Sequence, residues 1–192
     1  IDCYFTDKEP GYHNVGLDDR RGGYEMARYL LSMGHTRVLF LANAKIIPGG
    51  DLERFEGCRQ AFLEQGLSLG DECFIPLSKD VREREAFYKQ LISEPLPFSS
   101  LFFSADYYAA EAISYFQDQG IDVPERISVV GFDDNIFSRL IQPRLTTVHQ
   151  DVYLKGQTAV SMLMRIIKGE PVPIEDIRLP VSLRVRDSVR RI

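Results

Sequence analysis

The sequence predicts an α/β protein built on a parallel sheet that is covered by helices. Segments typical of strands and of helices alternate along the whole chain, as expected when each strand is followed by a crossover helix. The run Ile127–Phe132 is almost continuously apolar and rich in β-branched residues, which is typical of a strand buried on both faces. Two adjacent carboxylates, Asp133 and Asp134, follow this strand directly.

Capping residues, glycines and prolines place the other elements. Strands are predicted at Ile1–Thr6, Val15–Leu17, Arg37–Ala42, Phe74–Leu77, Leu101–Ser104, Ile127–Phe132 and within Ile177–Val185. Helices are predicted from Asp19 to Gly34, Leu52 to Gln65, Arg82 to Ser93, Asp106 to Gly120 and Asn135 to Ile141, and between Gln150 and Gly169. The last helix has an apolar stripe that we expect to face inward, formed by Val160, Leu163, Met164 and Ile167.

The two carboxylates after the central strand are the first candidates for a binding site. In open α/β sheets, ligands bind outside the carboxyl ends of the strands, so we expect Asp133 to face a ligand. Asp134 either shares that role or only caps the short helix that follows. Neighbouring side chains at a strand end point to opposite sides, so the sequence does not predict a catalytic pair.

Composition describes an ordinary globular protein with an acidic balance. Of the 192 residues, 44% are hydrophobic and 27% are charged, and the formal net charge is −5. This length is sufficient to bury a sizeable core. Nucleic-acid binding needs clustered Lys and Arg, so the acidic balance argues against a DNA-binding surface on this chain itself.

No catalytic, metal or cofactor site is predicted. Cys3, Cys58 and Cys73 are widely separated and have no histidine at ligand spacing, which indicates reduced thiols of a cytoplasmic protein. No nucleophile with a neighbouring base is recognisable, and the glycines after Pro48 lack a phosphate-loop pattern. No apolar run approaches the roughly 20 residues of a membrane span, so we expect no membrane contact.

Several motifs occur in a fixed order along the chain. Ser128–Asp134 reads SVVGFDD and Pro143–Gln150 reads PRLTTVHQ, with Gly156 in the helix that follows. Upstream, Gly34–Arg37 precedes a strand, and Arg54 is followed by a glycine three residues later on a helix. Together these pieces resemble the lactose-repressor/galactose-repressor family of bacterial transcription regulators, and the resemblance covers essentially the whole chain.

The resemblance implies a two-lobed periplasmic-binding-protein-like fold, with parallel sheets flanked by helices and an incomplete amino-terminal lobe. Strands that cross between the lobes would lie near residues 18–20, 145–150 and 176–180. The carboxyl-terminal lobe would comprise residues 20–146 and 178–192, and the partial amino-terminal lobe residues 1–19 and 147–177. An incomplete lobe would leave a sheet edge and an apolar face uncovered.

The resemblance also places an effector between the lobes and assigns Asp133, Arg54 and Asp7 to its pocket. These residue types suit a polyhydroxylated ligand, because carboxylates accept hydroxyl protons and the Arg fork donates in a fixed plane. The alternative for Arg54 is a solvated helix residue paired with Glu53 or Glu56.

Two pocket positions depart from the family pattern. Ala105 stands where many members carry Asn, and Val81 is the nearest counterpart of an aromatic residue that stacks on the ligand. Both departures argue against a plain hexose. Tyr153 could supply a hydroxyl to the pocket instead, although an aromatic residue at a helix start more often packs.

Family dimers form through the carboxyl-terminal lobe, and this chain has apolar residues there without an obvious core role. The predicted dimer interface consists of Tyr107, Tyr108, Ile136, Phe137, Leu140 and Ile141. The alternative is that all of them lie in the core of the monomer.

The function implied by the resemblance is ligand sensing in a cytoplasmic transcription regulator. A small polar effector, sugar-like in character, would close the lobes and so control a helix-turn-helix headpiece that is absent from this sequence. DNA would be a partner only through that headpiece. The alternative is a periplasmic-type sugar-binding protein, which shares the two-lobed plan. A helix-turn-helix or a signal peptide upstream would distinguish the two.

Overall fold

The structure is a computed structural model that describes residues 1–2, 12–43, 49–93, 95–174 and 176–192. The strands are β1 Asn14–Leu17, β2 Val38–Ala42, β3 Phe74–Pro76, β4 Ser100–Phe103, β5 Ser128–Asp133, β6 Thr146–Gln150, β7 Asp176–Leu179 and β8 Val181–Arg184. The helices are α1 Asp19–Ser32, α2 Gly50–Glu64, α3 Val81–Leu91, α4 Asp106–Asp118, α5 Phe137–Leu140 and α6 Val152–Ile167, with a 3-10 turn at Asp71–Cys73. The predicted strand Ile1–Thr6 lies outside the described residues beyond Asp2.

The described strands form two sheets, which confirms the predicted α/β class. One has the order β3-β2-β4-β5-β6-β8, and the other pairs β1 with β7. All pairs are parallel except β6 with β8, an antiparallel edge that the sequence pattern did not reveal. The division into lobes stays a prediction, and β6 belongs to the larger sheet as far as Gln150.

Helices cover both faces of the larger sheet because side chains alternate along its buried strands. Phe40 of β2 and Phe102 of β4 pack on one face with residues of α1 and α2. Leu41 and Phe103, their neighbours in sequence, pack on the other face with residues of α3 and α4. This layering leaves the carboxyl ends of the strands at one edge of the sheet, beside the amino ends of α2 and α4.

Helices α1 and α2 cross in close backbone contact through two glycines. A Cβ atom at Gly23 would overlap the carbonyl oxygen of Arg54, and one at Gly57 would overlap the carbonyl oxygen of Arg20. Cys58, next to Gly57, also donates from its thiol to the carbonyl oxygen of Gly23 at 3.3 Å. Small residues here bring the first turn of α2 against α1, which fixes the position of Arg54.

The apolar stripe of α6 does not face inward, contrary to the prediction. Val160, Leu163 and Ile167 are 59%, 54% and 67% exposed, and Met162 is the buried residue of this helix. Among the described residues, β1 is the principal element packed against α6, and it is too small to cover the stripe. A groove of about 490 Å³ runs between α6 and the chain near Tyr12 and Val15.

None of the helices in the described ranges is long and apolar enough to cross a membrane.

The glycine contact between α1 and α2 gives a test of the packing. We expect Gly57→Ala to lower the free energy of unfolding by about 1–3 kcal/mol, because the new methyl group meets backbone that cannot move aside. Gly156→Ala in α6 is the matched control, since a Cβ there meets nothing within 4 Å. The control should leave stability unchanged or raise it by about 0.5–1 kcal/mol. Denaturant unfolding measures both, and equal stabilities would contradict the close contact.

Candidate functional site

The candidate site lies where β5 ends, and the backbone there is strained. Asp133, the last residue of β5, has φ 118°, and Asp134 has φ 55°. Positive φ values are uncommon for residues other than glycine and cost free energy that the surrounding structure must supply. Such a conformation turns the two neighbouring carboxylates toward different partners.

The Asp133 carboxylate faces the carboxyl edge of the sheet. Its Oδ1 accepts from Gln150 Nε2 at 2.5 Å, so the last residue of β6 orients it. Burial raises the pKa of Asp133 above its ordinary value, although the positive charges of Arg54 and Lys155 oppose that rise. Lys155, in turn, donates to Gln150 Oε1 at 3.0 Å. The sequence-predicted pair, Asp133 and Arg54, is therefore brought into electrostatic contact.

Arg54 is held by side chains and backbone from several elements. Its Nε donates to Asp19 Oδ1 at 2.7 Å, and its Nη1 donates to the carbonyl oxygen of Ser104 at 2.6 Å. The guanidinium lies over the ring of Phe132, with its central carbon 3.6 Å from the ring centroid. The alternative of a solvated residue paired with Glu53 or Glu56 is wrong, because the Arg54 side chain is only 12% exposed and its main partner is Asp19.

Asp134 has a structural role and does not cap the short helix α5. Its carboxylate accepts from Ser138 Oγ at 3.1 Å, contacts His149 Nδ1 at 3.0 Å and pairs with Arg186. Burial works to raise the pKa of Asp134, but the hydrogen bond and charge of Arg186 outweigh it, so the pKa lies below its ordinary value. The amide of Phe137, the first residue of α5, donates instead to Asn135 Oδ1 at 2.9 Å.

Asp106 is a third carboxylate of this site, and no role for its side chain was predicted from the sequence. It is fully buried at the start of α4, where Oδ1 accepts from Thr147 Oγ1 at 2.5 Å and Oδ2 from the amide of Asn135 at 2.9 Å. Burial raises the pKa of Asp106 to about 7, and the like charges of Asp133 and Asp134 add to the rise. Asp106 thus ties α4 to β6 and to the turn that carries Asp133. An Asp at the first position of a helix is favoured by the helix dipole. Its place in the sequence therefore has an ordinary explanation and gives no sign of this role.

The other predicted pocket residues are spread around the edge of the sheet. Ala105 is the residue before α4, next to Asp106. Val81 begins α3 beyond the edge strand β3, which β2 and β4 separate from β5, and is 49% exposed. Tyr153 is 79% exposed in the first turn of α6. Asp7 lies outside the described residues.

The apolar residues assigned to a dimer interface form one partly exposed patch. Ile136, Phe137 and Leu140 are 60%, 41% and 71% exposed. The ring of Tyr107 lies edge-on to the ring of Phe137 at 5.7 Å and to the ring of Tyr108 at 5.2 Å. Ile141 is partly buried at the end of α5. The patch is continuous across the starts of α4 and α5.

No cluster of potential metal ligands occurs among the residues that the structure describes. The polar groups of the site are hydrogen-bond acceptors and donors oriented by neighbouring side chains, with no nucleophile among those named. Such an arrangement is suited to holding a ligand rather than to transforming it.

Comparison with known proteins identifies relatives over most of the chain. A family model described as "Periplasmic binding protein-like domain" matches residues 27–189. The HTH-type transcriptional regulator GalR of Escherichia coli (strain K12) is 32% identical, over 91% of this chain and 52% of its own length. The HTH-type transcriptional regulator DegA of Bacillus subtilis (strain 168) is also 32% identical, over 91% of this chain and 51% of its own. The chain spans about half the length of the curated relatives it matches, and these relatives are transcription regulators rather than enzymes.

Solved structures agree with the sequence relatives. A LacI family transcriptional regulator from Enterococcus faecium, with bound ribose, has a TM-score of 0.79 and 26% identity, covering 92% of this chain and 65% of that one. The transcriptional regulator CelR in complex with cellobiose has a TM-score of 0.85 and 25% identity, covering 96% of this chain and 56% of its own.

Asp106 makes the stability depend on pH in a testable way. Because its folded pKa is raised to about 7, the folded protein keeps a proton that the unfolded chain loses above its ordinary pKa. The free energy of unfolding should therefore fall between about pH 4 and pH 7, by up to about 4 kcal/mol from this group. Asp106→Asn keeps the volume, and its amide can accept from the amide of Asn135 and donate to Thr147 Oγ1, so it should flatten that part of the profile.

Asp118→Asn, an exposed acidic position on the same helix, is the control and should keep the wild-type slope. His35, whose pKa burial lowers, contributes the opposite slope equally to all three proteins, so the difference between profiles isolates Asp106. Identical slopes for wild type and Asp106→Asn, measured by urea unfolding at a series of pH values, would contradict the assignment.

Proposed function

Because this chain belongs to the periplasmic-binding-protein-like effector domains of LacI/GalR-type transcription regulators, we propose that it senses a small polyhydroxylated effector and passes that signal to a DNA-binding headpiece elsewhere in the full-length protein. The observation that carries the proposal is the convergence of Asp133 and Arg54, with Gln150, at the carboxyl edge of the larger sheet. Ligands of open α/β sheets bind at this edge.

The chemistry of the edge supports a ligand rich in hydroxyl groups. Asp133 offers a partly buried, oriented carboxylate, and a carboxylate accepts several hydroxyl protons. Arg54, held over the ring of Phe132, adds a rigid donor beside it. Two similar regulators were solved with ribose and with cellobiose, so sugars are the class of effector that we propose for this protein.

Signal transmission would use movement of one lobe against the other. The side chains of Gln150 and Lys155 link Asp133 to the first turn of α6, the helix that packs on β1. In the proposed division, α6 and β1 belong to the amino-terminal lobe, so a ligand on Asp133 would favour one relative position of the lobes. Such a ligand shifts the equilibrium only by its difference in affinity for the two positions.

The proposal assigns DNA binding to residues beyond this chain. A net charge of −5 gives this chain little attraction for phosphates, and its helix-turn-helix relatives are about twice as long as the matched region. The full-length protein would then be a cytoplasmic regulator. The exposed apolar stripe of α6 would be covered by the rest of the amino-terminal lobe.

We also propose that the protein is a homodimer through the patch formed by Tyr107, Tyr108, Ile136, Phe137, Leu140 and Ile141. A contiguous apolar patch on the surface of a monomer is characteristic of an interaction site. The aromatic residues at its centre suit the core of an interface, where such residues are enriched.

The effector site is tested by replacing Asp133 in the intact protein. A thermal-shift screen with ribose, galactose and cellobiose should find a sugar that raises the melting temperature, because it binds only the folded state. Asp133→Asn should then lower the affinity for that sugar by about ten- to a hundredfold, since it removes a charged hydrogen-bond acceptor. Asn tolerates the positive φ at this position, so the unliganded protein should melt normally.

Asp122→Ala, at an exposed carboxylate that precedes the start of β5 whereas Asp133 ends this strand, is the control and should bind as wild type. Wild-type affinity for Asp133→Asn in calorimetry would show that the ligand lies elsewhere.

The dimer is tested by introducing charge into the patch. We expect Leu140→Asp, at a position 71% exposed, to yield a monomer in light scattering without loss of secondary structure. Leu63→Asp on α2, at a position 72% exposed, is the control and should leave the association state unchanged. A wild-type protein that remains monomeric at high concentration would refute the dimer.

A further inference from the structure

Within the described part of the chain, Arg54 and Lys155 are the cations whose charges act on Asp133, and both are already engaged by the protein itself. Arg54 uses Nε for Asp19 and Nη1 for the carbonyl oxygen of Ser104, and Asp51 lies 3.6 Å from the same Nη1. Bidentate recognition of a carboxylate or phosphate needs two parallel N–H groups on one edge of the guanidinium. Because Nε donates to Asp19, the edge formed by Nε and Nη2 does not offer such a pair, and an anion on the edge formed by Nη1 and Nη2 would compete with Asp51 for the charge.

Lys155 is engaged in the same way on the other side of Asp133. Its Nζ donates to Gln150 Oε1 at 3.0 Å and pairs with Asp2 Oδ2 at 2.9 Å, and its side chain is 15% exposed. The ammonium group keeps a third N–H, but an anionic ligand would have to share its charge with the carboxylate of Asp2. Lys155 therefore orients Gln150, and through it Asp133, with its charge already paired.

The balance of charged side chains around Asp133 also argues against an anionic ligand. Among the described residues, the carboxylates of Asp133, Asp19, Asp51 and Asp2 surround the cations of Arg54 and Lys155. Carboxylates thus outnumber cations, and the site presents an excess of negative charge to an incoming molecule. An anion there would lose its hydration without gaining an unpaired cation.

We propose that the effector of this protein is an uncharged polyol or sugar, and that the site discriminates against sugar acids and sugar phosphates. This inference rests on the proposed effector function of the same edge. Asp133 accepts a ligand hydroxyl on the oxygen that Gln150 does not use, and Arg54 contributes a single N–H from Nη2. Arg54 and Lys155 serve mainly as positioning residues, because their charges hold the protein's own carboxylates in place.

The test compares sugars that share their ring hydroxyls and differ by one anionic group. The pairs are ribose with ribose 5-phosphate, galactose with galacturonate, and cellobiose with cellobionate. Calorimetry on the intact protein should show the neutral member of the recognised pair binding at least about tenfold more tightly. Equal or tighter binding of the anionic member would overturn this inference and leave the sugar-sensing function standing. If no member of any pair binds, both this inference and the proposed sugar-sensing function are contradicted.

A substitution in the carboxylate set tests the cause of the preference. Asp51→Asn removes one negative charge beside Arg54 and keeps an acceptor for the amide of Asn43, which Asp51 binds at 2.9 Å. It should reduce the preference for the neutral sugar by about threefold or more. Glu53→Gln on the same helix, whose partner is Arg20 at 2.8 Å, is the matched control and should keep the wild-type preference. An unchanged preference in Asp51→Asn would contradict the charge argument.

Discussion

The site depends on one buried guanidinium. Arg54 joins α2 to α1 through Asp19, to the end of β4 through the carbonyl oxygen of Ser104, and to β5 through the ring of Phe132. A buried charge is tolerated only when its partners satisfy it, and losing one partner typically costs several kcal/mol. The glycine contact at Gly23 allows this closeness, since any larger residue would push the backbone of Arg54 away.

Three neighbouring carboxylates have different roles because their surroundings differ. Asp134 is surrounded by donors and cations and remains ionised, so it holds β6, α5 and the segment after β8 together. Asp106 has hydrogen-bond donors but no cation of its own, and its pKa is raised. Asp133 lies between these extremes and faces the edge of the sheet. Environment rather than residue type therefore separates the structural carboxylates from the one that we propose binds the effector.

Much of the fold was predictable from the sequence, because its signals are local. Alternating apolar runs, helix caps and glycines at helix ends placed most of the described elements to within about two residues, whereas β6 was expected only from the family resemblance. The contacts that build the site were not predictable, because they join residues far apart, such as Arg54 with Asp19 and Asp106 with Thr147. The stripe of α6 was misjudged because periodicity identifies an apolar face without identifying what covers it.

The left-handed backbone at Asp133 has a consequence for protein engineering. Glycine adopts such a conformation without steric cost, so a change from Asp133 to glycine would relieve strain while deleting the acceptor. A library selected for thermostability alone would therefore enrich replacements at this position that remove the proposed ligand acceptor. Directed evolution of this domain needs a ligand-dependent readout from its first round, because selection for stability favours glycine at position 133 and selection for ligand response favours Asp133.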